Sequence, residues 1–403
     1  MKTRLLLVMP SLGSGGAEKS FVSLLELLPR DLFDISVMVV NEGGLFYSHV
    51  PVDVERVEAP RKFRIALGSI HSSFMKQECC WLERAVKVVS NILVRLRGIT
   101  RLDLAQFTWK LWRKSVPVLA GEWDVAVSFM NGMTNYYVID KVTASRKYLW
   151  VHNDYKMLKT SYRFDNIYWQ KADNVVTISN ACVKSLEECF PKLKGKFICL
   201  ENISSSKMIR SMADDECPAE FQELDRETLR LLSVGRLAEQ KGFDMAVDAA
   251  AILKSRGVCF IWLIIGVGVL RDNLQHQIDN NGLTNSVFLL GERSNPYVYM
   301  KWADILVQSS RYEGKSIVVD EAKILCLPII ATNYPSVGDN IEDGISGLVC
   351  HMDPDGIADA IEHLSYDKVL RMRLSENLAR ERSVNEREIE KYVWLFKGNS
   401  LKS

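Results

Sequence analysis

The sequence predicts an α/β protein built from two doubly wound, Rossmann-like domains. In both halves of the chain, short apolar runs alternate with helical segments, a pattern typical of buried parallel strands joined by helices. A polar stretch at residues 204–229 interrupts the alternation, which then restarts. The length of 403 residues also favours two domains over a single hydrophobic core.

The first half opens with a predicted strand at residues 5–8 and a helix at residues 17–28. The first apolar run is short and ends in a glycine-rich turn, which favours a buried strand over a signal peptide. Further strands are predicted at residues 35–40, 125–129, 147–151 and 174–178. We therefore expect an N-terminal Rossmann-like domain at residues 1–205.

The polar stretch 204–229 is interpreted as the linker into the second domain. The strands predicted in the second domain are residues 229–234, 260–265, 287–290, 305–307, 329–331 and 347–350. We expect this second Rossmann-like domain at residues 206–380. The charged residues 381–403 are predicted to form a helical tail that packs back on the N-terminal domain.

One segment departs from the near-neutral balance of the chain. Residues 61–115 hold twelve Lys or Arg and three Asp or Glu, a net charge of +9 in a chain of net charge +1. Cations and aromatic residues interleaved at helical spacing are typical of an interfacial helix on an anionic membrane. We therefore predict a basic amphipathic helical insertion at about 61–117 that contacts a membrane. The residues assigned to it are Arg84, Lys87, Arg95, Arg97, Trp109, Trp112, Arg113 and Lys114. The alternative is an insertion whose basic face is only solvated.

Composition excludes several classes of protein. With 47% apolar and 25% charged residues, the chain has an ordinary soluble composition, and its charge gives no reason to expect nucleic acid as a partner. No apolar run approaches the length of a spanning helix. Nine cysteines without a Cys-x-x-Cys pair are typical of reduced thiols in a cytoplasmic protein.

The most informative motif is the loop and helix start at residues 311–321. Glu313 and Glu321 lie on either side of a turn that follows an apolar strand, where ligands bind in open α/β sheets. The first amides of the following helix, at Ser316 and Ile317, would face an anion such as a phosphate. Carboxylates that accept sugar hydroxyls beside amides that hold phosphate indicate a nucleotide-sugar site. Taken alone, two Glu at this spacing could equally be a solvated pair.

Two further turns follow the first strand of each predicted domain. Gly15 and Gly16 open the first helix and let the backbone approach a diphosphate or a sugar. Arg236 and Lys241 follow the first strand of the second domain and could meet over one diphosphate. Cations and amides would then neutralise the leaving group, and no convincing metal site is found; we expect neither a metal nor another cofactor.

A histidine ends one strand of the first domain. His152 follows the predicted strand at residues 147–151 and would point into a cleft between the domains. A structural hydrogen bond is the alternative role for a lone histidine.

Together, these motifs resemble the family 4 retaining glycosyltransferases of the GT-B fold. The resemblance rests on the N-terminal Gly-Gly loop, on the Gly-Arg-x4-Lys turn, and on Glu-Gly-x6-Glu followed by Pro-Ile-Ile-Ala-Thr. It spans nearly the whole chain and is densest from residue 231 to residue 348. The family fold has two facing Rossmann-like domains with a deep interdomain cleft.

The resemblance implies a role for each matching residue. Gly15 and Gly16 would line the phosphate side of the donor, and Arg236 and Lys241 would hold its diphosphate. Glu321 would bind the ribose hydroxyls. Glu313 and His152 would contact the transferred sugar near the reaction centre, where we expect catalysis. Asn202 also matches a family position, but the residues after it differ, and we leave it out of the predicted site.

The resemblance also implies the reaction. We expect metal-independent transfer of a hexosyl or N-acetylhexosaminyl group, with retention, from a nucleotide-diphosphate sugar, weighted by the family towards UDP. The expected acceptor is a lipid-linked saccharide at the inner face of the plasma membrane, in capsule, exopolysaccharide or lipopolysaccharide O-antigen synthesis. The alternatives are a nucleotide-sugar 2-epimerase of the same fold and a non-catalytic partner subunit.

Overall fold

The structure is a computed structural model of the chain. It describes residues 1–13, 15–68, 73–77, 79–96, 103–153, 155–158, 160–222, 224–225, 227–313, 316–380 and 388–399. The chain divides into two compact units: Met1–Ile203 together with Arg387–Ser403, and Ser204–Glu386. The division lies two residues before the predicted boundary at 205, and the end of the chain belongs to the first unit.

The first unit is built on a parallel sheet whose strands are largely the predicted apolar runs. Its strands are β1 (Thr3–Met9), β2 (Phe33–Val39), β3 (Glu55–Arg56), β4 (Glu122–Ser128), β5 (Thr143–Val151), β6 (Asn174–Thr177) and β7 (Phe197–Cys199). Strands β3 and β7 were not predicted, because two or three residues are too few to show a periodicity. The sheet order is β3-β2-β1-β4-β5-β6-β7, with parallel pairing throughout.

Helices cover this first sheet. Those before residue 200 are α1 (Gly16–Leu27), α2 (Arg61–Leu67), α3 (Ser73–Gln77), α4 (Trp81–Leu96), α5 (Leu104–Trp112), α6 (Met133–Lys141), α7 (Tyr162–Trp169) and α8 (Asn180–Cys189). Helix α5 begins at a capping box: the Asp103 carboxylate accepts the Gln106 amide N–H at 2.7 Å, and the Gln106 side chain accepts the Asp103 amide N–H.

The second unit repeats the architecture with six strands. They are β8 (Leu229–Val234), β9 (Phe260–Ile265), β10 (Val287–Gly291), β11 (Ile305–Gln308), β12 (Ile329–Thr332) and β13 (Leu348–Cys350). The sheet order is β10-β9-β8-β11-β12-β13, again parallel throughout. The predicted α/β fold class, with one parallel sheet in each half of the chain, is confirmed.

The helices of the second unit connect these strands and extend beyond them. They are α9 (Ser206–Ala213), α10 (Ala219–Gln222), α11 (Phe243–Ser255), α12 (Arg271–Asn280), α13 (Pro296–Trp302), α14 (Ile317–Ile324), α15 (Pro354–Tyr366) and α16 (Lys368–Arg380).

The predicted linker at residues 204–229 is wrong as a description of this stretch. Ser205 caps α9 by accepting the Met208 amide N–H at 3.1 Å. Ile209 and Phe221 are buried in the core of the second unit, beneath α13 and α14. Only a few apolar residues, spaced for a helix, tie this polar stretch to the core, which is why its composition resembled a linker.

The last helix, α17 (Ile389–Phe396), lies in the first unit. The Tyr148 hydroxyl on β5 donates to the Leu395 carbonyl at 3.1 Å, and Tyr392 donates to the Glu201 carbonyl at 2.8 Å. Trp150 stacks on Tyr392 with ring centroids 5.9 Å apart. Within the described ranges, no helix is both long and apolar enough to cross a bilayer.

In each sheet the strand order reverses beside the first strand of the unit. The chain moves outward on one side through β2 and β3 and then returns to place β4 against β1. In the second unit the same reversal lies between β8 and β11. Ligands of open α/β sheets bind beyond the carboxyl ends of the strands at such a reversal. The predicted motifs after β1, β8 and β11 all lie there.

Candidate active site

The second unit brings Lys241 and Glu313 together. Lys241 ends a short 3₁₀ turn after β8, and Glu313 lies in the loop after β11, two strands that are neighbours in the sheet. The Lys241 Nζ lies 2.6 Å from Glu313 Oε1, and both side chains are largely buried, with 17% and 7% of their surface exposed. The structure therefore gives Lys241 an internal partner that the sequence did not predict.

Glycine makes this approach possible. Gly242 has a φ of 61°, and a β-carbon on it would lie 2.1 Å from the Ser309 carbonyl oxygen. The turn after β8 can therefore lie directly on the strand-end segment after β11. A β-carbon on Gly235 would come within 3.2 Å of Lys241 Cε, so the lysine stem packs over that glycine.

Glu313 accepts several hydrogen bonds at one oxygen. Besides Lys241, Gln308 Nε2 donates to Oε1 at 2.7 Å and the Ser310 hydroxyl also donates to it. The other oxygen, Oε2, has a longer contact of 3.5 Å with Gln240 Nε2. Oε2 thus keeps most of its capacity to accept a hydrogen bond.

Arg236 is the second predicted diphosphate ligand, and it lies exposed in the same turn after β8. Within the described part of the chain, its guanidinium forms no hydrogen bond or ion pair. Lys241 keeps two of its three N–H donors after pairing with Glu313. The turn after β8 therefore offers a planar guanidinium and a partly engaged ammonium to an anion.

Helix α14 starts beside these cations. Ser316 is its N-cap residue and Ile317 its first helical residue, so the amides there have no partner within the helix. The Ser316 hydroxyl is buried without a hydrogen-bond partner among the described residues. Gly314 and Lys315 lie outside the described residues. An unpaired hydroxyl and free amides at a helix N-terminus suit an anionic group.

Glu321 is placed differently from what its predicted role requires. It is fully buried, and the Tyr297 hydroxyl donates to Oε1 at 2.9 Å. Burial and the neighbouring carboxylate raise the pKa of Tyr297 well above its ordinary value, so this hydroxyl stays a donor. Glu321 thus has a partner inside the protein, and its contact with ribose stays a prediction.

The first unit places Gly15 and Gly16 at the start of α1, after β1. A β-carbon on Gly15 would lie 2.3 Å from Glu18 Oε2. Burial raises the pKa of the Glu18 carboxyl, partly offset by a hydrogen bond to its own amide. The Glu18 carboxylate, the end of a flexible side chain, therefore lies against this turn.

His152 follows β5 and reaches the neighbouring strand β4. Its Nε2 lies 2.8 Å from the Phe129 carbonyl oxygen; because a carbonyl only accepts, Nε2 carries the proton. Nδ1 is then a buried acceptor, and no described residue hydrogen-bonds to it. Burial lowers the pKa of His152 to about 4, against smaller opposing effects of Phe129 and the Asn202 side chain. His152 is therefore neutral at pH 7 and can accept a hydrogen bond from a hydroxyl.

Asn202 was left out of the predicted site, but in the structure its side chain partly opposes the lowering of the His152 pKa. Its Oδ1 is also buried without a hydrogen-bond partner among the described residues. Gln308 and Ser310 are further polar residues that the sequence analysis missed. The sequence feature that could have identified them is the polar Gln-Ser-Ser stretch at the end of a buried apolar strand.

The predicted membrane surface is partly wrong. Trp109 is fully buried, and its Nε1 lies 3.1 Å from Asp140 Oδ2 and 3.0 Å from the Tyr168 hydroxyl. Trp112 is also buried. Lys87 is buried with its Nζ donating to the Ala66 carbonyl at 2.6 Å, and burial lowers its pKa to about 8. These three residues belong to the protein interior because the insertion packs on the sheet.

The remaining residues of the predicted membrane surface differ in their exposure and contacts. The Arg84 guanidinium donates to the carbonyls of Cys79, at 3.0 Å, and Lys76. Arg113 and Lys114 are exposed. The side chain of Arg95 and all of Arg97 lie outside the described residues.

A different apolar face is exposed instead. Trp81 on α4 is 78% exposed, and Val86, Val89 and Ile92 on the same helix are about half exposed. A groove of about 530 Å³ runs between α4 and α5, lined by Lys62, Ala85, Val86, Val89, Leu111, Trp112 and Ser115. Lys62, Lys110 and Lys114 lie exposed on these two helices and the segments beside them.

No group of three or more His, Cys, Asp or Glu that could hold a metal is found in the ranges that the structure describes. Asp353 and Asp355 are spaced as metal ligands could be, but both lie at the start of α15, where the Asp353 carboxylate caps the helix by accepting the Gly356 amide N–H at 2.7 Å.

The second unit matches the family model described as glycosyl transferases group 1 over residues 219–381. A lipopolysaccharide core biosynthesis glycosyltransferase from Rhizobium meliloti is 33% identical over 147 residues, covering 36% of this chain and 42% of that protein. An N-acetylgalactosamine-N,N'-diacetylbacillosaminyl-diphospho-undecaprenol 4-alpha-N-acetylgalactosaminyltransferase from Campylobacter jejuni is 26% identical over 326 residues, covering 81% of this chain and 80% of that protein. Three other curated relatives are matched over 50%, 39% and 34% of their own lengths, so the chain spans about half of them or less.

Solved structures share the fold of the whole chain. The crystal structure of Alr3699/HepE from Anabaena, in complex with UDP and glucose, has a TM-score of 0.65 at 15% identity. The match covers 99% of this chain and 100% of that one. The chain therefore carries a group 1 glycosyltransferase domain at residues 219–381, in a protein with the α/β fold of GT-B glycosyltransferases.

Proposed function

We propose that this protein is a retaining, metal-independent glycosyltransferase that moves a hexosyl or N-acetylhexosaminyl group from a UDP-sugar to a lipid-linked saccharide during surface-polysaccharide synthesis. The observation that carries the proposal is the Lys241–Glu313 pair at the strand reversal of the second sheet, in the same turn as Arg236, which has no side-chain partner among the described residues. Cations for a diphosphate and a carboxylate for sugar hydroxyls thus lie in the loops that follow two neighbouring strands, β8 and β11.

The donor diphosphate would be held by this turn and by α14. Arg236 would form two parallel hydrogen bonds to phosphate oxygens, and the free N–H groups of Lys241 would bind a third. The amide N–H groups of Ser316 and Ile317 would donate hydrogen bonds to the remaining phosphate oxygens at the helix N-terminus. As the sugar leaves, charge develops on the terminal phosphate oxygen, and these groups would stabilise it without a metal.

Within a retaining reaction, the way Glu313 is held favours a front-side path over a covalent glycosyl-enzyme intermediate. Its Oε1 is occupied by Lys241, Gln308 and Ser310, which suits a fixed hydrogen-bond acceptor better than a mobile nucleophile. In the proposed front-side path, the bond from the sugar C1 to the phosphate oxygen breaks first. The acceptor hydroxyl then attacks the same face of C1 and gives its proton to the departing phosphate oxygen.

His152 would act as a hydrogen-bond acceptor in this reaction. With Nε2–H donated to the Phe129 carbonyl, its neutral Nδ1 can accept a hydrogen bond from a sugar hydroxyl. A charged imidazolium at the same place would repel the positive charge that develops on the sugar ring.

The names of two relatives support the proposed acceptor. One relative acts in lipopolysaccharide core biosynthesis, and the name of the other contains a diphospho-undecaprenol saccharide. We propose by analogy that this chain acts on a lipid-linked saccharide at the cytoplasmic face of the plasma membrane.

Membrane contact is proposed through the exposed face of α4 in place of the buried tryptophans. Trp81, Val86 and Val89 lie on this face, and each basic residue near an anionic membrane surface contributes about 1 kcal/mol. Replacing Val86 and Val89 together by Asp should abolish sedimentation with phosphatidylglycerol vesicles. The control is Val369→Asp, at an exposed valine of the second unit. Vesicle binding that survives the double substitution would contradict the proposed membrane face.

The reaction itself is tested by product analysis. The purified protein is incubated with UDP-glucose, UDP-N-acetylglucosamine or UDP-N-acetylgalactosamine and extracted lipid-linked saccharides, with EDTA present. We expect UDP release that depends on the acceptor, and an α-linked product by proton NMR. A β-linked product would contradict retention, and a strict requirement for Mg²⁺ would contradict metal independence. Interconversion of UDP-sugar epimers without an acceptor would instead indicate a 2-epimerase.

A further inference from the structure

A buried amide side chain lies at the end of β11, directly below the proposed sugar-binding carboxylate. Gln308 is the last residue of β11, between β8 and β12, and is only 4% exposed. Burying an amide in an apolar strand is costly unless its donors are satisfied. Both donors are satisfied: Gln308 Nε2 donates to Ser310 Oγ at 2.8 Å and to Glu313 Oε1 at 2.7 Å.

These contacts form a closed set around one carboxylate oxygen. Gln308 donates to Ser310, Ser310 donates to Glu313, and Gln308 also donates to Glu313 directly. Each hydrogen bond in such a chain polarises the next. Lys241 adds the charged partner from the neighbouring turn. These three donors hold Oε1 inside the protein and leave Oε2 as the oxygen that can accept from a ligand.

The backbone of Glu313 is held as well. The Ser336 hydroxyl donates to the Glu313 carbonyl at 2.8 Å, and the Thr332 hydroxyl donates to the Ser310 carbonyl. The loop after β11 is therefore tied to β12 and the turn that follows it. With the main chain held in this way, the donors at Oε1 decide where the carboxylate points.

We propose that Gln308 is a positioning residue that orients the Glu313 carboxylate towards a hydroxyl of the donor sugar. The inference rests on the proposed role of Glu313 in sugar binding. Gln308 is too deeply buried to touch the donor itself, so it acts only through Glu313. Loss of the Gln308 donors should therefore lower turnover and the part of the donor affinity that comes from the sugar. The affinity for the nucleotide alone should not change.

The test is Gln308→Met, which keeps a similar volume and removes both donors. Binding of UDP and of the UDP-sugar used in turnover is measured by calorimetry, together with kcat. UDP affinity should stay within about twofold, whereas the sugar-dependent gain in affinity and kcat should each fall roughly tenfold. A hydrogen bond to a charged group is worth at least this factor. Ser310→Ala, which removes the second member of the same set, should act in the same direction.

Ser233→Ala is the matched control. The buried Ser233 hydroxyl donates to the Val307 carbonyl at 2.7 Å and accepts from Trp262 Nε1, one strand away and without contact with Glu313. This variant should lower thermal stability but keep the ratio of UDP to UDP-sugar affinity. Equal losses of UDP and UDP-sugar affinity in Gln308→Met, or unchanged turnover, would overturn the positioning role.

Measurements on the wild-type protein distinguish a failure of the proposed role of Glu313 from a failure of the role of Gln308. If it binds UDP-sugar no more tightly than UDP, the sugar-binding role of Glu313 fails, and the role of Gln308 fails with it. If the wild type shows the gain and Gln308→Met keeps it, only the role of Gln308 is refuted.

Discussion

The pairing of Lys241 with Glu313 predicts a particular pattern of stability. In Lys241→Met, Glu313 would remain buried as a carboxylate without its counter-charge. Removing one partner of a buried ion pair typically costs about 3–5 kcal/mol. Glu313 keeps its hydrogen bonds from Gln308 and Ser310, and the Lys241 side chain is 17% exposed. We therefore expect a loss of about 2–3 kcal/mol, at or below the lower end of that range.

The assay is thermal and chemical unfolding of a double-mutant cycle. A loss of this size should lower the Tm of a unit this large by roughly 5–10 °C. Glu313→Gln alone should cost less, because Lys241 can reach solvent. In Lys241→Met combined with Glu313→Gln no buried charge is left unpaired, so the double variant should be more stable than the sum of the single losses by about 1–2 kcal/mol. Donor affinity should not recover in the double variant.

The control for this cycle is an exposed ion pair in the same unit. Arg256 contacts Asp359 and Glu362 at 2.7 Å on the surface, and Arg256→Met should change the Tm little. Strictly additive losses in the Lys241 and Glu313 cycle would refute the coupling. A Lys241→Met variant as stable as the wild type would show that the pair is not buried in solution.

Three further predictions concern individual side chains. The folded-state pKa of His152 is lowered to about 4, so its contribution to stability is complete above about pH 6.5 and is lost as the pH falls towards 4; it amounts to at most about 3 kcal/mol. Denaturant unfolding at pH 7 and pH 4.5 should therefore show a larger loss for the wild type than for His152→Gln, and equal losses would refute this. Trp109→Phe should destabilise the protein by about 1–3 kcal/mol because two hydrogen bonds are lost, with unchanged vesicle binding. Trp81→Ala should instead weaken vesicle binding and leave the free energy of unfolding unchanged. Tyr297→Phe removes the buried hydrogen bond from the Tyr297 hydroxyl to Glu321 and should cost about 1–3 kcal/mol in denaturant unfolding, whereas Tyr299→Phe should cost less because the Tyr299 hydroxyl is only part-buried; similar losses would argue against the Glu321 contact.

The sheets could be predicted because their strands are continuous apolar runs. Strands such as β1 and β9 are buried along nearly their whole length, and local composition is enough to identify them. Helix α9 was missed because only three of its residues, Met208, Ile209 and Ala213, are buried, and they lie in a polar stretch. The Ser205 cap was visible in the sequence and could have signalled a helix start.

The basic insertion shows the limit of periodicity. Helical spacing indicated amphipathic segments, but it could not show which face turns inward. Trp109 is enclosed by residues far away in the sequence: Phe63 and Tyr137 pack edge-on to its ring, and Asp140 and Tyr168 bind its Nε1. Lys87 caps the carboxyl end of α2 at Ala66, a common position for a cation.

The candidate site was predictable in position but not in its internal contacts. Glu313, Lys241 and Arg236 were identified because they follow predicted apolar strands of an open α/β sheet. That Lys241 pairs with Glu313, and that Gln308 and Ser310 share the same oxygen, depends on β8 and β11 being neighbours. This adjacency joins residues about 70 positions apart, which no local pattern reports.

The central claim is a metal-free site for a uridine diphosphate sugar in the second unit, and a thermal-shift panel tests it most directly. UDP, GDP and ADP are each added with EDTA, to the wild type and to Lys241→Met. At 100 times its dissociation constant, a nucleotide should stabilise the wild type by about 2.7 kcal/mol. We expect this shift for UDP in the wild type, unaffected by EDTA and strongly reduced in Lys241→Met. A shift that needs a metal, or that is equal in Lys241→Met, would contradict the account.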